Sequence, residues 1–66
     1  MNLHELWECV DANTPVYYEC MDFVNECVKI EEYDGTDRCI TGSRKVFSIK
    51  PYFMAGFGNV ILATME

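Results

Sequence analysis

With 66 residues the chain has room for one domain, spanning 1–66. Half of the residues are hydrophobic, four Tyr, four Phe and one Trp among them, which excludes a disordered polymer. No apolar run approaches the roughly 20 residues of a membrane-spanning helix, and Met1 to Glu5 shows neither a basic n-region nor an h-region of a signal peptide, so a cytoplasmic protein is expected. The formal charge of −6 speaks against direct binding of nucleic acid.

Leu3, Leu6, Trp7 and Val10 recur at the spacing of one helical face. Asn2 is a good N-cap and Glu5 stands three residues on, the pattern of a capping box. Asn13 and Pro15 end the element, which predicts a helix over about 2–11. His4 falls on the polar side of that helix and is expected in solvent. Pro15 to Met21 is rich in strand formers, with Val16, Tyr18 and Cys20 on one face. Residues 22–25 read as a turn. A second strand follows over Cys27 to Tyr33, with Val28 and Ile30 on one side and Lys29 and Glu31 on the other. Asp34-Gly35 opens a loop that Gly42-Ser43 closes, with a short helical turn expected around Ile40.

Arg44 to Tyr52 is the third strand, with Phe47 and Ile49 towards the core and Pro51 marking an edge. Tyr52 to Gly58 reads as a connection with unusually apolar contents. Asn59 to Met65 is the fourth strand. Its Val60-Ile61-Leu62 run is apolar on both faces, so the strand is central and covered on both sides, or one face is an interface. Sequential strands usually pair. The expected fold is therefore α+β: one N-terminal helix packed on a four-stranded antiparallel sheet, a meander. Leu3, Leu6, Trp7, Val10, Val16, Tyr18, Val28, Ile30, Phe47, Ile49, Val60 and Leu62 are its expected core.

The chemistry of catalysis is missing from the pattern. There is one histidine, no Gly-rich phosphate loop followed by a helix, and no nucleophile elbow. Glu31 and Glu32 are adjacent, so a strand points them to opposite faces. The reading is a protein that is not an enzyme and needs no cofactor. Cys9, Cys20, Cys27 and Cys39 are spaced by 11, 7 and 12 positions, which forms no C-x-x-C knuckle. Buried thiols are the first expectation, with two disulfides or a metal as alternatives.

Two candidate binding surfaces stand out. Residues 1–37 carry a net −9 and residues 38–66 a net +3. The acidic half attracts basic protein surfaces, including those that normally hold nucleic acid, or it simply keeps an apolar protein in solution. Asp22, Glu26, Glu31, Glu32, Asp34 and Asp37 are the candidate partner-binding residues. Phe53, Met54 and Phe57, in the apolar connection, and Ile61, in the last strand, are the candidate interface for a sister subunit or a partner. The short chain and the two-sided fourth strand together predict a homo-oligomer.

Leu3-His4-Glu5-Leu6, Asn13-Thr14-Pro15-Val16-Tyr17, Lys45 to Tyr52 and Asn59-Val60-Ile61-Leu62 together resemble small uncharacterised proteins encoded by phages and prophages of Firmicutes. The resemblance covers most of the chain at the level of pattern and transfers no functional residues. The four cysteines and the apolar last connection depart from it. It implies a helix followed by a small antiparallel sheet. It also implies an accessory protein of the anti-defence type, acting in the host cytoplasm by binding a host protein, such as a nucleic-acid-binding defence protein. The competing expectation is a structural or regulatory homo-oligomer without a host target.

Overall fold

The computed structural model describes residues 1–22 and 27–65. Along them run α1 (Leu3–Cys9), β1 (Val16–Asp22), β2 (Cys27–Tyr33), β3 (Val46–Met54) and β4 (Gly58–Met65). Asp22 belongs to β1, and the rest of the expected 22–25 turn lies outside the described residues.

A helix of seven residues is too short to hold itself together in water. Local and tertiary partners hold α1. The capping box forms in full: the Asn2 side chain accepts from the Glu5 N–H at 2.8 Å, and the Glu5 carboxylate accepts from the Asn2 N–H at 2.8 Å. The next two donors of the first turn are met by a distant segment, Leu3 N–H donating to the Arg44 carbonyl at 3.0 Å and His4 N–H to the Gly42 carbonyl at 2.9 Å. Leu3 and Leu6 are buried against the sheet. The helix stops two residues short of expectation because Val10 turns to extended backbone and packs against the core.

The sheet is mixed, and the expected all-antiparallel meander is corrected. Its order is β2-β1-β4-β3, with β1/β2 and β3/β4 antiparallel and β1 running parallel to β4. Two hairpins meet along their most apolar strands. A meander would have left β4 on an edge, with the Val60-Ile61-Leu62 backbone half unpaired. The observed order instead puts the charged β2 and the proline-bearing β3 outside, where unpaired donors and Pro51 do least harm.

Residues paired across strands share a face, so the sheet has two distinct sides. Under α1, Val16, Tyr18, Tyr33 and Ala63 are buried with Leu3 and Leu6, and Val10, Cys20, Val46, Ile61 and Met65 pack against them. On the other side Tyr17, Val60 and Leu62 are buried, with Met54 packed on them and, among the described residues, no second helix above. The single core expected from the sequence is thus two clusters. Val28, Ile30, Phe47 and Ile49 are exposed at the flanks, and Trp7 is 37% exposed, against the expectation that all five belong to the core. Phe47 sits at a register shift between Val46 and Ser48, which takes it out of the ladder.

The expected apolar loop is mostly strand: β3 runs through Met54, and the turn is closed by the Phe57 N–H on the Met54 carbonyl at 3.0 Å. Gly56 at φ +89 supplies the left-handed residue this turn needs. Around Ile40 there are turns rather than a helix, and Ile40 is 74% exposed.

Candidate protein-binding surfaces

Three rungs of side chains run across the open face. Glu32, Tyr17, Leu62 and Lys50 are successive partners from β2 to β3. Ile30, Glu19, Thr64 and Ser48 form the next rung, and Val60 and Tyr52 pair on the other side. Leu62 is fully buried although, among the described residues, no helix lies over it. Its cover is lateral: Tyr17 and Val60 flank it, and the Phe57 ring stands edge-on to Tyr17 at 6.5 Å. Around that dry centre Val28, Ile30, Tyr52 and Phe57 are 53%, 36%, 37% and 64% exposed. Within the face Thr64 donates to the Glu19 carboxylate at 2.7 Å, which gives that half-buried charge a partner.

The helix-covered side ends at an aromatic and hydrogen-bonded corner. His4 Nε2 lies 2.7 Å from Glu8, and Nδ1 lies 2.7 Å from the Tyr33 hydroxyl, which in turn donates to the Asp37 carbonyl at 3.1 Å. A doubly protonated ring would satisfy this whole chain, with each group donating to the next; a neutral ring accepts from Tyr33 instead. His4 is thus not the solvated residue expected from the helix pattern: its side chain is only 12% exposed. Trp7 and Tyr33 meet edge to face at 6.1 Å. Gly35, at φ +85, lies against the Trp7 indole so closely that a Cβ would come within 2.6 Å of it. Burial, and then the nearby Asp37 charge, push the Tyr33 hydroxyl above its usual pKa.

The acidic candidates do not form one surface. Glu31 lies on the helix side and accepts from Tyr18 at 2.9 Å, while Glu32 lies on the open side. Burial, and next this hydrogen bond, raise the Tyr18 pKa. Asp34 folds its own turn, accepting from the Thr36 hydroxyl at 2.7 Å and the Thr36 N–H at 3.0 Å. Asp37 does the same for the next turn, accepting from the Ile40 N–H at 3.0 Å and the Thr41 hydroxyl at 2.9 Å. These bonds hold both carboxyls below the usual range. Asp22 pairs with Cys27 at the end of the hairpin, and Glu26 lies outside the described residues.

The apolar candidates divide as well. Met54 and Phe57 belong to the open face, Ile61 packs under the helix, and Phe53, 70% exposed, pairs with Asn59 on the helix side beyond the core. Missed by the sequence reading as surface residues were Val28 and Ile30, expected in the core; Lys50, expected outward, and Tyr52, expected in the apolar connection, join them on the open face. Their alternation was legible, but their common face is visible only once β4 is known to lie beside β1.

The thiols are not buried as expected: Cys9, Cys27 and Cys39 are exposed and Cys20 is half-buried, with the Arg44 guanidinium 3.7 Å from its sulfur. Among the described residues no three His, Cys, Asp or Glu side chains converge as a metal site. A cleft of about 390 Å³ beside the end of α1 is lined by Trp7, Glu8, Val10, Asp11, Ala12 and Thr14. It offers a ligand two carboxylates and a hydroxyl, and His4 stands against one of those carboxylates, that of Glu8. No helix among the described residues is long and apolar enough to cross a membrane. No protein-family model, curated protein or solved structure matches the chain.

Proposed function

We propose that this chain is a small acidic accessory protein that acts by binding other proteins and catalyses nothing. One observation carries the reading: an open sheet face keeps four large apolar side chains in water around a dry centre. Exposed apolar patches of this kind mark contact sites. The titratable groups with resolved partners, in contrast, are engaged in local structure: His4 with Tyr33, Glu31 with Tyr18, Asp34 and Asp37 with their turns. The resemblance to phage and prophage proteins supplies the setting, inhibition of a host defence system in the cytoplasm. The host target is a basic, nucleic-acid-binding protein, met by the open face with the exposed Glu32 carboxylate at its β2 edge.

Immobilised protein challenged with host lysate tests this. A specific basic protein should be retained, and released as salt rises. Reversal of Glu31 and Glu32 together to Lys should weaken its capture. Retention no better than by an unrelated acidic protein of equal charge would sink the inhibitor reading. The second reading, a homo-oligomer without a host target, is favoured by the same open face.

A further inference from the structure

We propose that the occupant of the open face is a second copy of this chain, related by a two-fold axis lying between the sheets and parallel to the strands. The proposal rests on the reading of that face as a protein-binding surface and names its partner.

The charge pattern of one rung selects this arrangement. Glu32 stands at the β2 end of the rung and Lys50 at the β3 end, with Tyr17 and Leu62 between them. Both end residues are exposed. A two-fold axis along the strands keeps every rung at its own height and exchanges left for right. It therefore lays β2 of one copy over β3 of the other and sets each Glu32 opposite the Lys50 of the sister chain. An axis across the strands would instead put β2 over β2, which leaves the rung's own charges unmatched. The selected packing forms two such ion pairs at the rim and stacks Tyr17 and Leu62 at the centre, the layout of an apolar core with a polar rim. It is also isologous, as a closed dimer requires.

The area is that of a weak dimer. β1 and β4 are in register only over Val16–Glu19 and Ile61–Thr64, so the two hairpins are offset, and under this axis the sheets overlap over about five residues of four strands, roughly 300 Å² in projection. Two copies then remove on the order of 600 Å² from water, the size of a weak, salt-sensitive contact in which the charge pairs weigh most. Aligned sheets pack face to face in this way in β-sandwiches. The cost is Glu19. The axis passes between β1 and β4, so it brings the two Glu19 carboxylates near each other, with Thr64 as the donor each one has on its own chain.

Sedimentation equilibrium of the intact chain at low salt decides the matter, with circular dichroism to confirm that each variant is folded. Wild type should be a dimer. Glu32→Lys and Lys50→Glu should each raise the dimer dissociation constant about tenfold, because two attractions become two repulsions. The double variant should return to within about threefold of wild type. Glu19→Gln should tighten the dimer. A wild-type monomer overturns the proposal, as does a dimer indifferent to both reversals or one in which the double variant is not rescued. A dimer dispersed by Phe53→Ser and untouched by the charge changes also overturns it, since Phe53 lies on the helix side. Should the chain prove monomeric yet capture a host protein in a manner lost on Val28→Asp, the copy is excluded and the protein-binding reading stands. A monomer that captures nothing defeats both.

Discussion

The two faces of the sheet bury similar residues by different means. Under α1, Leu3 and Leu6 press on Val16, Tyr18 and Ala63, and the helix itself is tied down by Arg44, Gly42 and its capping box. On the open side, Leu62 and Val60 are just as dry, yet only neighbouring side chains shield them. A covered face gains stability from an element with its own hydrogen bonds. An uncovered face gains it from side chains that themselves remain half in water, and those side chains lose further exposed area when something docks. One face has been completed by the fold, and the other keeps large apolar side chains in water.

The largest expected effects come from emptying the two centres. Leu3→Ala and Leu62→Ala should each cost about 2–5 kcal/mol in urea denaturation. The comparison sharpens with protein concentration: the loss at Leu62 should vary with it if a second copy covers that face, while the loss at Leu3 should not. A cost below about 1 kcal/mol for Leu62→Ala would show that lateral shielding makes no core.

Gly35→Ala probes the junction of helix and β2. The backbone there is left-handed and the new methyl meets the Trp7 indole. The expected loss is about 1–3 kcal/mol, with a change in tryptophan fluorescence. An unaltered spectrum and melt would mean that Trp7 is not seated against the loop.

Much of the helix-side architecture was legible in the sequence because its signals are local. Asn2 and Glu5 announce the cap, Val16-Tyr18-Cys20 alternate, and the second strand runs over Cys27–Tyr33 as expected. The parallel pairing of β1 with β4 was not legible, since nothing within either strand encodes a neighbour about 45 positions away; only the two-sided apolarity of Val60-Ile61-Leu62 hinted at a central place. Trp7 and His4 exchanged their expected roles for a related reason. The helix is only seven residues long, so its orientation follows Leu3 and Leu6, and the partner that draws His4 inward is Tyr33. The acidic residues were legible in part: strand alternation already set Glu31 and Glu32 on opposite faces, whereas the turns that engage Asp34 and Asp37 depend on bonds from Thr36, Ile40 and Thr41 that charge counting does not show.

A smaller effect should follow from Tyr33→Phe. It deletes the hydroxyl that joins His4 to the Asp37 carbonyl, while the ring keeps its contact with Trp7. About 1–2 kcal/mol is expected, together with a shift of the His4 ring resonances. A shift with no loss of stability would make the corner dispensable to the covered face.

The pH dependence should be the gentlest effect, and it separates the loop from the sheet. Asp34 and Asp37 have carboxyls held below their ordinary range by bonds from Thr36 and from Ile40 and Thr41. A carboxyl whose pKa is lower when folded binds fewer protons in the native state. Its contribution is therefore complete above the unfolded value of about 3.9 and is lost as pH falls through the folded value. Both groups are exposed to water, so the loss should be small and confined to the 34–42 segment. Tyr18 and Tyr33 act in the opposite sense. Their raised values mean that the folded state holds its protons longer, so stability is intact below about pH 10 and declines as pH rises through the folded values. Amide exchange across pH 3 to 11 reads both limbs, the acid limb in the loop and the alkaline limb along β1 and the end of β2. Simultaneous loss of protection throughout the sheet at the acid end would show that the loop and the covered face open as one unit, because the Tyr33 hydroxyl on the Asp37 carbonyl would then couple them.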